Sequence, residues 1–352
     1  MIPEKVINEY FKPTEVESIN AFGNGHIHNT YKVETSWASY IFQRINTSVF
    51  TKPDLVIHNH LLLQDHLEDA VNQKYIIPEI VKTREGKNYY SDENYGFWRV
   101  TNFIENSYSI EKAEYPTQAY EAGEAYGWFI KSLHNIDVRL FEETICNFHN
   151  FSFRLGQFED AIAKNIVGKK ENIKSEIDFY LQRKNSLLLL EKDIISGKIP
   201  PRIVHNDTKI NNILFEDSKA KAVIDLDTVG PGSILYDYGD ALRTIANTSI
   251  EDEDNLEKVK LQWDNYCHFT EAFLKETKSI LTESEKQNLH IAPILMTYII
   301  GIRFLTDYLN GDVYFKTTKP NHNLIRTRVQ IELLKDMEMR KPEMKTFISD
   351  YF

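Results

Sequence analysis

Two cysteines in 352 residues are too few for a disulfide framework, and Cys146 and Cys267 stand in no metal-like or redox-like spacing. Basic residues are in deficit. The net charge of −11 argues against a nucleic-acid footprint, because phosphate backbones recruit Lys and Arg. Acidity instead suits either a cationic substrate or simple solubility. Long apolar runs are missing too. The longest, residues 291–302, contains Pro293, Thr297 and Tyr298, is too short to span a bilayer and reads as a buried helix. The first residues, MIPEKVINEYFKP, lack the apolar stretch of a signal peptide. No internal repeat or low-complexity segment occurs. These absences leave an ordinary globular chain, expected in the cytoplasm, with neither nucleic acid nor membrane as a partner.

The chain is long enough for two lobes with separate cores. Its first hundred residues read as strands with one helix. Residues 21–33 alternate around a Gly-containing turn, 40–45 are β-branched and aromatic, and 75–82 and 98–104 look like further strands. The helix opens at Pro53–Asp54 with Leu55, Leu62 and Leu63 facing inward and Leu67 at the far end. Beyond residue 105 helices dominate, at 117–134, 153–165, 174–195 and through most of 253–338, with short strands near Ile203 and Val223. The expected architecture is α+β and bilobal: a small β-rich lobe over residues 1–104 and a large, mainly helical lobe over 105–352. The segment TNFIE is expected to form the crossing between the lobes, with Asn102 and Ile104 contacting the nucleotide.

Residues 203–240 carry the chemistry: IVHNDTKINNILFEDSKAKAVIDLDTVGPGSILYDYGD. Asp207 is placed to accept or orient a substrate hydroxyl. Asn212, five positions on, turns back toward a metal ion. Asp225 ends an apolar strand, where a carboxylate bridges magnesium to the β- and γ-phosphates of a nucleotide. This is the constellation of protein-kinase-like phosphotransferases, so the bilobal fold is expected to be kinase-like, with Mg2+ as cofactor and ATP as co-substrate. Taken singly, a His-x-Asp tripeptide is common, and Asn-Asp-Thr can be no more than a turn or an N-cap. The offsets to Asn212 and Asp225 make the combination specific. His205 is expected to brace the loop. Lys209 either meets the γ-phosphate or is a surface charge. Asp227 adds a second carboxylate to the metal, binds a substrate hydroxyl, or is a solvated turn residue.

With these residues the chain resembles the aminoglycoside phosphotransferase superfamily, and within it the N-acetylhexosamine 1-kinase group. The resemblance spans most of the chain. It rests on GNGHIHNTYKV and YIFQRIN, on WRVTNFIE and FHNFSFR, on the catalytic stretch, and on GIRFLTDYLNGDVYF with NLIRTRVQ behind it. It implies transfer of the ATP γ-phosphate to the anomeric hydroxyl of a free N-acetylhexosamine, giving the sugar 1-phosphate. It also implies a sugar site built from His28, Asp207, Asp227, Arg303, Asp307, Tyr308 and Tyr314, with His149 as a further contact or a local structural residue. Arg303 and Asp307 share a helix face at i,i+4, where they are either site residues or an intrahelical ion pair.

The chain departs from the kinase pattern where the nucleotide should bind. The third-strand lysine position falls on Gln43, with Arg44 next, and the matching helix position near Asn59 holds no glutamate. A neutral Gln43–Asn59 bridge is expected there, with phosphate charge met by Lys209 or Arg44. Strand alternation lets only one of Gln43 and Arg44 reach the nucleotide. Gly23 and Gly25 make a weak phosphate-loop signal, since any tight turn looks similar. The neighbouring His26, His28 and Asn29 lack a carboxylate or cysteine to complete a metal site. His58 and His60 read as surface residues on different helix faces. Two other readings stay open: a kinase of another small molecule (aminoglycoside, choline, homoserine or methylthioribose), or a catalytically silent sensor. The acid run 251–254 would favour a cationic acceptor; a solvated acid run would not.

Overall fold

The computed structural model describes residues 1–23, 27–68 and 74–352. A short helix α1 (Glu4–Tyr10) precedes β1 (Val16–Ala21), β2 (Asn29–Thr35) and β3 (Ser39–Arg44). Helix α2 (Pro53–Glu68), β4 (Tyr90–Asp92) and β5 (Gly96–Asn102) follow. The strands form one antiparallel sheet in the order β1-β2-β3-β5-β4. Its two faces bury different things. Phe42, Trp98 and Val100 pack with Val6 and Tyr10 of α1, whereas Ile45, Phe50 and Phe97 pack with Val56 and Ile57 of α2.

The chain then crosses into a second body. The elements are β6 (Tyr108–Ser109), α3 (Pro116–Ser132), α4 (Phe151–Lys164), α5 (Lys174–Ile195), β7 (Arg202–Val204), β8 (Ile213–Glu216), β9 (Lys219–Val223) and β10 (Gly230–Gly232). After them come α6 (Ile234–Ile245), α7 (Trp263–Thr277), α8 (Glu283–Asn288), α9 (Ala292–Leu309) and α10 (His322–Ser349). Two small sheets, β6-β8-β9 and β7-β10, sit on the helical layer and frame the loop that carries Asp207. Helix starts follow local chemistry: Asn150 accepts from Phe153 N at 2.9 Å to cap α4, and Pro116 occupies the first turn of α3. The helical stretch Glu283–Leu309, which joins α8 to α9, is long and apolar enough by composition to cross a bilayer. Since 83% of that window lies inside the protein, it is a core helix.

Several expectations are corrected. The N-terminal residues form a helix, α1, in addition to the expected α2. Residues 75–82 make only isolated bridges, Ile76 to Ala222 and Ile80 to Thr101, because Pro78 has no N–H to continue a ladder. On α2 the inward face is Val56, Ile57, Asn59, His60, Leu63 and Leu67, while Leu55 and Leu62 are only partly covered. His60 is therefore a buried residue, its Nε2 donating to Pro78 O at 2.6 Å.

Helices α3 and α7 pack closely because α3 carries Gly123 and Gly127 one turn apart. A methyl group on Gly123 would press on the Phe269 carbonyl. Replacing Gly123 by Ala gains about 1 kcal/mol of helix propensity, while overpacking costs about 1–3 kcal/mol. Urea denaturation of Gly123→Ala is expected to show a net loss of stability; a variant as stable as the parent would mean that the helices part freely.

Candidate active site

Strand β7 delivers the chain into the loop 205–212, and that loop is held from three sides. His205 N and Asn206 N donate to the two carboxylate oxygens of Asp237 at 2.7 Å each, and Thr208 Oγ1 donates to Asp237 O at 2.6 Å. From α3, Tyr126 OH donates to Lys209 O at 2.6 Å. His149 Nε2 donates to Asn206 O at 2.7 Å. Asn206 adopts a left-handed backbone (φ 63°), a conformation Asn tolerates. His205 is fully buried: Nε2 donates to Ile224 O at 2.9 Å, and Nδ1 accepts from Asp207 N at 3.3 Å. It braces the loop, as its place in the sequence suggests.

Asp207, Lys209 and Asn212 come together. Asn212 Nδ2 donates to Asp207 O at 2.8 Å and to Asp207 Oδ2 at 3.2 Å, and Lys209 Nζ lies 3.2 Å from Asp207 Oδ1. Burial works to raise the Asp207 carboxyl, but Lys209 and His205 prevail and hold it below the ordinary carboxylate range. Asp207 is thus ionised at neutral pH and still open to the cleft. Asp225 begins the next turn, exposed and left-handed (φ 61°). Burial of the cleft floor, with the Asp227 and Asp207 charges, pushes its carboxyl up to about 6.

Among the described residues no group of three His, Cys, Asp or Glu side chains is placed to hold a metal ion alone. The donor set nonetheless fits magnesium with a nucleotide. Among the described residues Asp225 has no protein partner and the Asn212 side-chain oxygen is unengaged, and magnesium takes one or two protein oxygens plus phosphates and water.

Asp227 is arranged differently from the metal-ligating or hydroxyl-binding role expected. One oxygen is ion-paired to Arg99 Nη1, the other lies 2.6 Å from His28 Nε2, and His28 Nδ1 accepts from Asn46 N at 3.0 Å. Despite burial, Arg99 and His28 hold the Asp227 carboxyl far below its usual range. The expected Gln43–Asn59 bridge does not form. Gln43 pairs with Arg99 and with Thr30 Oγ1, while Asn59 Nδ2 donates to Glu142 O at 2.7 Å and Val229 O at 2.8 Å. Arg44 shares its face with Phe42, Trp98 and Val100, against α1, and points away from the cleft. Asn102 Oδ1 accepts from Glu79 N at 2.7 Å and Ile104 O accepts from Ser107, so both tie down the crossing between the lobes. Gly23 has the left-handed φ of a turn (76°); Gly25 and His26 lie outside the described residues.

On the far side of the loop, Arg303 sits over Phe148 (4.9 Å to the ring centre), Phe315 (5.6 Å) and Tyr314 (5.9 Å). Among the described residues no carboxylate pairs with it. Burial and Arg303 together push the nearby Arg154 guanidinium down to about 10. Asp307 is not its partner. Asp307 is buried and accepts from Val313, Tyr314 and Phe315 N and from Asn323 Nδ2 at 2.8–2.9 Å, folding the 310–315 loop over Arg303. Tyr308 is also buried, its hydroxyl donating to Asn321 Oδ1 at 3.2 Å away from this shelf. The acid run is engaged within the protein: Glu251 pairs with Arg243 (2.8 Å), Glu253 with Lys258 (3.5 Å) and Asp254 with Lys319 (2.9 Å), and Asp252 is hydrogen-bonded to His322 (2.9 Å). Sequence reading missed Arg99 and Asp237. Both had a signal: a lone charge inside a strand of large apolar residues (FWRV) and a carboxylate within an apolar helix (ILYDYGDAL).

The model of the phosphotransferase enzyme family, APH, matches residues 18–276. Solved structures share the fold at low identity. An aminoglycoside phosphotransferase from Alicyclobacillus acidocaldarius is 13% identical, with a TM-score of 0.66 over 99% of this chain and 97% of that one. A microcompartment-associated aminopropanol kinase is 14% identical (TM-score 0.64, 97% of both chains). A spectinomycin phosphotransferase in complex with ADP and spectinomycin is 12% identical (TM-score 0.63, 97% of both chains).

Two outcomes follow from the loop's supports. In Asp237→Asn one of the two N–H groups must face an amide NH2, so a loss of about 1–3 kcal/mol is expected by denaturation. Among the described residues His149 Nδ1 is buried without a hydrogen-bond partner, and burial pushes the ring down to about 4. Between pH 6.5 and 4 the unfolded chain binds a proton that folded His149 does not, so stability is lost as the pH is lowered through this window, by up to about 1.4 kcal/mol per unit. His149→Gln should flatten that limb of a stability-versus-pH series. The Asp237 carboxyl, pushed up to about 6, acts in the opposite sense but equally in both proteins.

Proposed function

Because this chain belongs to the phosphotransferase enzyme family, whose members transfer phosphate to small-molecule hydroxyls, we propose that its acceptor is a neutral sugar. The best candidate is an N-acetylhexosamine (GlcNAc or GalNAc), phosphorylated by ATP at the anomeric hydroxyl to the sugar 1-phosphate. The observation that carries this reading is the charge of the acceptor side. Among the described residues Arg303 is presented on an aromatic shelf without an acid, Arg154 stands beside it, Glu251, Glu253 and Asp254 of the acid run are paired with Arg243, Lys258 and Lys319, and Asp252 is hydrogen-bonded to His322. The shelf reaches the catalytic loop over a short path, since Phe148 carries Arg303 and the next residue, His149, holds Asn206 O. A cationic acceptor such as choline or an aminoglycoside would meet two guanidinium groups there. A sugar would stack a ring face on Phe148 or Tyr314 and offer hydroxyl and acetamido oxygens to Arg303.

In this reading Asp207 accepts the hydrogen bond of the acceptor hydroxyl and orients its oxygen toward the γ-phosphate. An anomeric hydroxyl is more acidic than an ordinary alcohol, so a carboxylate held ionised by Lys209 suffices. Lys209, 3.2 Å from Asp207, is the cation positioned for the transferred phosphate. Asn212 and Asp225 would hold magnesium, which supplies charge neutralisation on the nucleotide phosphates.

Purified protein would be given ATP and magnesium with GlcNAc, GalNAc, other free sugars, choline, homoserine and an aminoglycoside. ADP release would be followed, and the product identified by phosphorus NMR. Expected are an anomeric phosphate signal with an acetylated sugar, a fall of roughly 100-fold or more in Asp207→Asn, and about a tenfold rise in sugar KM in Arg303→Met with nucleotide KM unchanged. Turnover confined to a cationic acceptor would overturn the sugar assignment.

A further inference from the structure

The lysine that protein kinases place on the third strand is absent, yet its position is not empty of charge. Gln43 stands there on β3, and the residue opposite it on β5 is Arg99. Cross-strand partners point to the same face, so Arg99 reaches the cleft side of the sheet beside Gln43. Its Nε and Nη2 donate to Gln43 Oε1 at 2.9 and 2.7 Å. The third arm, Nη1, is ion-paired with Asp227 in the other lobe, and the two side chains are 4% and 2% exposed. His28 joins the same carboxylate from the start of β2.

The protein-kinase cation is paired with a glutamate on a helix of its own lobe. Here α2 offers Asn59, already committed to the Glu142 and Val229 carbonyls. The anion comes instead from the turn that Asp225 begins, and Thr144 Oγ1 holds that turn through Asp227 O at 2.7 Å. One guanidinium therefore ties the N-terminal sheet to the floor of the cleft. A rigid planar fork does this better than a flexible ammonium could.

We propose that Arg99 is the positioning residue of this phosphotransferase. With Asp227 and His28 it clasps the sheet to the 225–228 turn and so sets where the nucleotide phosphates stand relative to Asp207. The proposal rests on the family's phosphoryl transfer and is independent of which acceptor is used. Truncating Arg99 leaves the buried Asp227 carboxylate without its guanidinium and held only by the His28 ring, so the turn must shift to hydrate the freed oxygen. A misplacement of about 1 Å at reacting groups costs on the order of 100-fold in rate.

The test titrates a non-hydrolysable ATP analogue with magnesium into the full chain and into Arg99→Met, Arg99→Lys and the double variant Arg99→Met/Asp227→Asn. A thermal transition is recorded for each. Arg99→Met should bind at least tenfold more weakly. Arg99→Lys, which keeps the ion pair but loses the fork to Gln43, should recover part of that. The double variant carries no unpaired buried charge, so it should regain thermal stability while nucleotide affinity stays low. A role in stability alone would restore both together, and that result would overturn the proposal. Binding by folded Arg99→Met within threefold of the parent would also overturn it. If Arg99→Met does not fold, the double variant carries the same comparison. Failure of the parent chain to bind the analogue would remove the phosphotransfer reading itself, and this proposal with it; failure of sugar turnover with binding intact would touch only the acceptor.

Discussion

A loop that turns Asp207 and Asn212 toward one point cannot be helix or strand, and its buried N–H groups still need acceptors. Asp237 resolves this conflict. One carboxylate at the start of α6 takes the amides of His205 and Asn206, while its backbone oxygen takes the Thr208 hydroxyl. Because α6 packs on α9, itself buried on nearly all sides, the loop is referenced to the most rigid part of the helical body. Tyr126 from α3 and His149 ahead of α4 fix the same loop from other directions. Side chains locked by such supports hold reacting groups in a productive geometry without rearrangement during the reaction.

Charge is allocated with the same economy. The acids around the cleft are nearly all matched: Asp227 with Arg99 and His28, Asp240 and Glu251 with Arg243, Asp207 with Lys209. Among the described residues Asp225 has no protein partner, and burial with the Asp227 and Asp207 charges drives its carboxyl up. An unmatched hard oxygen donor at the cleft floor is what a divalent cation bound with nucleotide phosphates would need. Across the loop the imbalance has the opposite sign, since among the described residues Arg303 and Arg154 have no acid partner. The two sides thus differ in the sign of their free charge, as the proposed magnesium–nucleotide and sugar sites would require.

How much of this was legible depends on sequence distance. Asp207, Asn212 and Asp225 fall within nineteen residues on one strand–loop–strand unit, so their convergence could be read from spacing and strand order. The clasp could not, because Arg99 and Asp227 are brought together by the crossing of the chain between lobes. Gln43 illustrates the error that results. Its position on β3 was read correctly, yet its partner was sought on the helix when cross-strand register supplied Arg99. Asp307 shows the same limit at short range: i,i+4 spacing pairs it with Arg303, but three amides of the following loop reach the carboxylate first.

By itself the sequence determined the reaction class, the two-lobe α+β plan and the order of catalytic side chains, because each is written in local spacing and hydrophobic period. Which charges are spent and which remain available was decided only by tertiary structure. Pairing is settled by distance and burial between elements far apart in the chain, and a carboxylate's role follows from whichever cation or amide the fold brings within reach of it.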